Sequence, residues 1–376
     1  MTICYAASGA GVLVVRDVAA ESDRHETSSD GPAAAGPTAE HTFERDDIEC
    51  LDASSEAPER VFCGTFDAGL HRSADGGRTW ERVGESALAT SVTSVTVSPR
   101  DPRVVYAGTE PSAVYRSADG GDTWEELAEL TDLPSAPTWA FPPRPDTHHV
   151  RWIEVDPGDP AHLYVAVEAG ALVQTHDGGE TWEERAPSTR RDTHTMAIHP
   201  DAPGIVRAAA GDGYAESRDG GESWSFPQEG LKHRYCWSVA VDPGDPGRVL
   251  LAAAAGARRA HTPDSAASYL YRREDGAGDT SDPSDAGDTA ADSPDAGPTS
   301  TDDAWERLDE SGVPTGEGLL RPVLAPGVAS GELFAFTDRG LFRTGDGGDS
   351  FARVDVEWPE AFRDTTASGL AVVETE

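Results

Sequence analysis

An eight-residue phrase returns along the chain and limits what it can fold into. It reads Ser73-Ala74-Asp75-Gly76-Gly77-Arg78-Thr79-Trp80, then Ser117-Ala118-Asp119-Gly120-Gly121-Asp122-Thr123-Trp124. It comes back at Asp177 with Trp182, at Asp219 with Trp224, and at Asp346, where Phe351 replaces the indole. A degraded copy starts at Arg273-Glu274-Asp275-Gly276, with its aromatic, Trp305, displaced by a long interruption. An aspartate followed by two glycines is hairpin-tip chemistry: the carboxylate accepts from the turn's own amides, and glycine takes the positive φ that other residues resist. The flanking Ser and Thr hydroxyls tie the two arms together, and the aromatic fills the gap between neighbouring sheets. On this reading Asp75, Asp119, Asp177, Asp219 and Asp346 are folding elements and carry no chemistry.

Each tip sits in a longer frame. A strand such as Val104-Val105-Tyr106-Ala107-Gly108 or Leu163-Tyr164-Val165-Ala166-Val167 precedes it. Before that comes another strand, ending in a Pro/Asp turn: Val95 to Pro102, Ile153 to Pro160, Met196 to Asp201, Val239 to Pro246. Strand, Pro/Asp turn, strand, short loop, strand, Asp-Gly-Gly tip, strand makes four antiparallel strands in about 40–50 residues, which is one blade of a β-propeller. Six such units span 47–84, 90–127, 148–186, 193–227, 235–309 and 318–355. The two ends supply a seventh: residues 2–46 give three strands, with the fourth at Thr42–Arg45, and 368–374 fits the missing innermost one, so the ring is closed by strands from both termini. The expected fold is therefore all-β: one seven-bladed propeller in a single domain over 1–376. Segments 19–40 and 276–303, rich in Asp, Ser, Thr, Gly, Pro and Ala, are expected as disordered excursions from this frame.

Thirty Lys and Arg against 68 Asp and Glu leave a net charge of −38, spread along all 376 residues, with Lys232 the one lysine. Such a surface repels nucleic acid and anionic membranes, and it suits a saline interior where charge is screened within about 3 Å at molar salt. We read it as haloarchaeal adaptation. Cys4, Cys50, Cys63 and Cys236 show neither a CxxC pair nor zinc spacing, so free buried thiols are expected. The start of the chain lacks a basic segment and a long apolar run, so a cytoplasmic protein without a membrane span is expected, and we read it as a monomer.

In a propeller, the loops leading into each innermost strand and those joining the second and third strands open on one face, around the central channel, and that face is where function is sought. Blade 4 brings Arg144, His148, His149 and Arg151 there, then Glu168. Blade 5 brings Asp192 and His194, then Asp212 and Tyr214. Blade 6 brings His233, Arg234, Tyr235 and Trp237, then Arg258 and His261, and blade 7 adds Glu317, Arg321, Asp338 and Arg339. Arginine forks suit carboxylate, phosphate or acidic-sugar anions, so Arg144, Arg151, Arg234, Arg258 and Arg321 are candidates for a positive funnel taking an anionic small molecule, a glycan or a protein's carboxylate tail. Glu168, Asp192 and Asp212, with Tyr214 or Tyr235, are the candidates for acid–base or nucleophilic work if the chain is a glycosidase or lyase. His148, His194 and His233 recur at one position in adjacent blades, a third reading in which they hold a metal. The leading expectation is a binding protein without cofactor.

The phrase resembles the Asp box, S-x-D-x-G-x-T-W, of the bacterial neuraminidase (BNR) repeat. The whole chain is similar to the superfamily of Asp-box propellers that includes sialidases, xyloglucanase-type glycosidases, sortilin-like receptors and photosystem II assembly factors. Six blades with an arginine triad and a Tyr–Glu nucleophile pair mark the sialidases, and xyloglucanase-type enzymes join two seven-bladed rings. A single seven-bladed ring most resembles the assembly factors, and this resemblance implies a non-catalytic binder. The motif is specific for the fold and weak for the activity.

Overall fold

In a computed structural model of the chain, the described residues are 1–18, 36–184, 186, 188–275 and 304–375. They form seven antiparallel sheets. Blade 1 takes its innermost strand from Ala367–Glu374, followed outward by Thr2–Ser8, Gly11–Arg16 and Thr38–Phe43. Blades 2, 3 and 7 run in chain order from innermost strands Ile48–Ala53, Val92–Val97 and Val323–Pro326. Blades 4 and 5 begin with Val150–Val155 and Thr193–Ile198, and their outermost arms pair through single bridges, Gln174 with Glu183 and Glu216 with Ser225. Blade 6, from Tyr235–Asp242, keeps its outer strand at Glu306–Arg307, beyond the interruption. Each innermost strand packs against the next, from blade 1 through blade 7 and back to blade 1, so the ring closes.

The Asp-Gly-Gly tips fold by their own chemistry. Asp75 accepts from the Arg78 and Thr79 amides at 3.0 and 2.9 Å and from the Thr79 hydroxyl at 2.6 Å, while the Ser73 hydroxyl donates to it at 2.8 Å. Asp119, Asp177, Asp219 and Asp346 repeat the pattern. The bonds from Thr79, Thr123 and Thr181 hold Asp75, Asp119 and Asp177 at about 2. Gly76 and Gly77 sit at φ 71° and 81°, a region that disfavours any side chain with a Cβ. The following aromatic covers a seam between blades: Trp80 stacks on Phe43 of blade 1, ring centroids 5.1 Å apart. Trp124 and Trp224 turn their indole N–H back to Gly121 and Gly221 at 3.0 Å, Trp182 donates to the Ala128 carbonyl at 3.0 Å, and Phe351 is buried.

Two local features differ from the sequence reading. The outer strand of blade 1 starts at Thr38 and ends at Phe43, so it lies earlier than Thr42–Arg45 and takes in the last residues of the 19–40 stretch. The rest of that stretch, 19–35, and 276–303 lie outside the described residues. The loop between the second and third strands of blade 6 contains a one-turn helix, Ala257–His261, which brings His261 to the channel. All four cysteines are free and buried, as expected. No helix among the described residues is long and apolar enough to cross a membrane.

Candidate functional site

The innermost strands of six blades share an irregularity. One residue of each is left unpaired against its neighbouring strand near the start: Glu49, Thr93, Arg151, His194 and Trp237 in blades 2 to 6, and Ser368 in blade 1. A β-bulge re-aims the side chain of the extra residue and bends the strand. Here the device recurs at one level of the ring: Glu49, Arg151, Trp237 and Ser368 line the mouth of the channel, while Thr93 and His194 are buried between blades. From there the innermost strands of all seven blades enclose a cavity of about 470 Å³, which continues to the turns at Pro99, Pro157, Pro200, Pro243 and Pro326. A wider groove of about 680 Å³ on the outer rim of blades 3 and 4 is lined by exposed carboxylates and turn residues, among them Asp101, Glu125 and Asp177, and shares no residue with the mouth.

The bulged residues divide into two kinds. Thr93 donates to the Val150 carbonyl of the next blade at 2.7 Å, and the His194 Nδ1 lies 2.7 Å from the Cys236 carbonyl. These two latch neighbouring blades edge to edge. Arg151 does the opposite. It is 6% exposed, yet its Nε is buried without a hydrogen-bond partner among the described residues. Its Nε stops 3.7 Å from Glu168, and its guanidinium carbon lies 4.9 Å from the Trp237 ring. A buried guanidinium carries five donors that the fold ordinarily satisfies.

Around Arg151 the candidates from the sequence take separate roles. Glu168 accepts from His149 Nε2 at 2.9 Å on the same oxygen that faces Arg151. Burial pushes its carboxyl up, but the His149 bond and the charges of His194 and Arg151 outweigh this and hold it at about 2. Asp192 is fastened by the Ala169 amide at 3.2 Å, and burial pushes its carboxyl up. Trp237 lies under the Arg321 guanidinium at 3.5 Å and beside the His194 and His261 rings at 4.4 and 4.8 Å. Arg321 donates to His261 Nδ1 at 3.1 Å, so the ring proton of neutral His261 sits on Nε2 and points to the Tyr235 oxygen at 3.0 Å. Burial, then the Arg321 charge, lowers His261 to about 3. The Tyr235 hydroxyl keeps its own proton for another acceptor.

Not every expected residue arrives. Tyr214 is fully buried between blades 5 and 6, its hydroxyl on Glu216 at 3.1 Å and its ring against Trp305, so it is a core residue and no nucleophile at the mouth. The alternation of its strand turns it inward one residue after Gly213. The three histidines do not converge. His148 packs against Trp139 and His233 stacks flat on Tyr269 at 3.9 Å, and neither belongs to any ligand cluster among the described residues. Asp212 pairs with Arg190 at 3.1 Å on the exposed side. Asp338 is buried on the Leu320 amide, beside Arg339 at 3.7 Å. Glu317 is exposed. Arg144 is held bidentately by Glu110 at 2.5 and 2.9 Å, and Arg234 and Arg258 are exposed. The mouth is therefore a mixed set of charges around one guanidinium that meets its carboxylate partner only at 3.7 Å, in place of a positive funnel. Glu49 and Glu110 belong to it and were absent from the sequence candidates. Glu49 occupies the same bulge position as Arg151, a signal the strand alignment contained.

No protein-family model matches the sequence, and no curated protein matches it significantly. Solved structures do resemble it. An ancestral GH74 enzyme has a TM-score of 0.56 at 14% identity over 87% of this chain and 38% of its own. The GH74 xyloglucanase from Xanthomonas campestris gives 0.56 at 16% identity over 82% of this chain and 45% of its own. YCF48 bound to D1 peptide gives 0.51 at 18% identity over 82% of each chain. The chain spans less than half the length of the two GH74 enzymes. At these identities the likeness is one of architecture, and the architecture is a seven-bladed β-propeller.

Proposed function

We propose that the chain is a binding protein that takes an anionic group, the carboxylate end of a partner polypeptide, into the channel mouth on Arg151. The observation that carries this reading is Arg151, 6% exposed, whose Nε is buried without a hydrogen-bond partner among the described residues and whose carboxylate neighbour Glu168 stands back at 3.7 Å. Burying an arginine this way is costly unless an anion completes it, and a carboxylate matches its fork in two parallel bonds. The uncommitted Tyr235 hydroxyl offers a further donor beside it, and the Trp237 face gives a flat apolar wall. YCF48, similar in size and fold, is described with a peptide bound, which agrees with a propeller of this size holding a polypeptide segment. We also read the Asp-Gly-Gly tips as Asp boxes of the BNR type and the carboxylate-rich composition as adaptation to a saline cytoplasm.

The reading is tested by calorimetry in molar KCl with matched short peptides, one ending in a free carboxylate and one in an amide. The acid is expected to bind and the amide to bind at least tenfold more weakly, since one charge-assisted hydrogen bond contributes about 1.5–3 kcal/mol. Equal affinity for both, or for neither, would remove it.

A second reading has an observation of its own. Glu168 and Asp192 have oxygens within 4.8 Å, and their surroundings move them in opposite directions, the arrangement from which an acid and a base are drawn in glycosidases. The GH74 likeness gives it context. It predicts hydrolysis of a soluble oligosaccharide that falls by about 10²-fold or more in Asp192→Asn. Absence of turnover across neutral and acidic oligosaccharides leaves only the binding reading.

A further inference from the structure

We propose that Glu168, Asp192 and His194 form a binding site for one divalent transition-metal ion, Zn²⁺ or Mn²⁺, at the seam between blades 4 and 5. One ligand atom from each lies within 4.8 Å of the other two. Two carboxylates near a histidine are common on an acidic protein, so the weight falls on the imidazole. His194 is completely buried, and its Nδ1 faces the Cys236 carbonyl at 2.7 Å. A carbonyl can only accept, so in the neutral ring Nδ1 carries the proton and Nε2 is left with a lone pair. That Nε2 has no hydrogen-bond partner and lies 3.7 Å from Asp192 Oδ1, which is also an acceptor. Lone pair thus faces lone pair inside the protein, a repulsive arrangement that a cation turns into an attractive one. A backbone carbonyl on Nδ1 is also what orients a metal-bound imidazole through its other nitrogen.

The carboxylates are prepared in the same way. Both contacts that Glu168 makes fall on Oε2, and Oε1 makes no hydrogen bond. Asp192 is tied by the Ala169 amide, and Gly211 keeps a Cβ from filling the space beside it: one there would come within 2.0 Å of Oδ2. Asp192 is a third exposed, so an ion and its remaining water ligands have a path in. One nitrogen and two oxygens suit Zn²⁺ or Mn²⁺, whereas Ca²⁺ and Mg²⁺ take all-oxygen shells. Ligand atoms around tetrahedral zinc stand roughly 3.4 Å apart. The His194–Asp192 pair is near that already, and Glu168 closes the remainder by a side-chain rotation. Among the described residues the other three-ligand cluster, His176 with Glu183 and Glu222, is exposed throughout, has no buried unpartnered atom, and serves as the control.

The site does not depend on the anion reading, although a bound ion would give an incoming carboxylate a second partner beside Arg151. The experiment uses metal alone on the whole chain. Protein stripped with chelator in molar KCl is titrated with MnCl₂, followed by the loss of free-ion electron paramagnetic resonance signal, and with ZnCl₂ by calorimetry. One ion per chain is expected in the parent. Asp192→Asn and Glu168→Gln should weaken it by at least the 10–100-fold that second-sphere changes alone cost, with circular dichroism confirming the fold. These two carry the test because His194→Ala also removes a latch to blade 6. A paired His176→Ala and Glu222→Gln variant should keep parent affinity. Absence of binding, binding indifferent to Asp192→Asn, binding lost with His176 and Glu222, or Ca²⁺ bound as tightly as Zn²⁺ would each overturn the proposal.

Discussion

Arg151→Met is expected to weaken binding of a carboxylate-ended peptide about 100-fold while changing the thermal midpoint little. Methionine keeps the length and apolar stem of arginine, so its packing beside Trp237 survives, but the two parallel charge-assisted bonds to a carboxylate are lost. At about 1.5–3 kcal/mol for a hydrogen bond to a charged group, the loss is one to two decades or more. The stability half of the expectation is the sharper one. An arginine that latches blades returns its burial cost through hydrogen bonds, and removing it lowers the midpoint. Arg151 pairs with Glu168 only at 3.7 Å, and Glu168 keeps its His149 bond at 2.9 Å without it, so the cost of stranding that carboxylate is set against relief of the buried guanidinium. Arg151→Lys should fall between the two, because an ammonium does not supply the planar fork. Calorimetry and a melting curve on the same three proteins check this. A midpoint lowered by several degrees together with unchanged affinity would make Arg151 a latch and remove the site from the mouth.

The second large effect lies deeper in the channel. Asp52 and Glu154 both line the cavity, and burial pushes them up to about 7 and about 8. Glu154 still accepts from the Trp152 indole at 2.8 Å, and the charge of Asp52 raises it further. The sign follows from linkage: the folded state holds these protons more tightly than the unfolded chain, so both carboxyls are harmless below about pH 4 and destabilise progressively as pH rises through 7 to 8. Glu154→Gln keeps an acceptor for Trp152 and removes the ionisation. It should raise unfolding free energy by about 2–4 kcal/mol at pH 9 and by almost nothing at pH 4, with about 1.4 kcal/mol for each unit of displacement. Asp52→Asn should behave alike. The double variant should gain less than the sum, since each carboxyl contributes to the other's penalty. Denaturant midpoints at the two pH values test this, and a pH-independent gain would contradict it.

How much of this was legible in the sequence depended on the range of the interaction concerned. The tips could be read from eight residues because Asp75 and its partners are neighbours in the chain. The strand frame could be read because Pro157 and Asp159, or Pro243 and Asp245, end strands locally. Blade 6 was recognisable despite its interruption because Trp305 keeps its aromatic role, packed against Tyr214. At the mouth, Arg151, His194 and Trp237 stood out as unusual residues at a shared level, but their roles did not. His148 and His149 are adjacent and identical in chemistry, yet one packs on Trp139 and the other bonds Glu168. Which way each faces is set by the bulge at Arg151, a feature of pairing between strands. Glu110 was passed over because its partner Arg144 is 34 positions away. Tyr214 was misplaced because a glycine turn and strand alternation send it inward, where an open loop was assumed.

The recurring bulge has a consequence for how such rings diversify. An unpaired residue in an otherwise regular ladder can be exchanged without shifting register, so its identity is decoupled from the folding of its sheet. Six equivalent positions circling one axis, now Glu, Thr, Arg, His, Trp and Ser, amount to a short combinatorial alphabet written on an invariant scaffold. Outside Thr93 and His194, which also hold neighbouring blades, ligand preference in a ring of this kind can be rewritten one letter at a time, while the tips that fold it stay as they are.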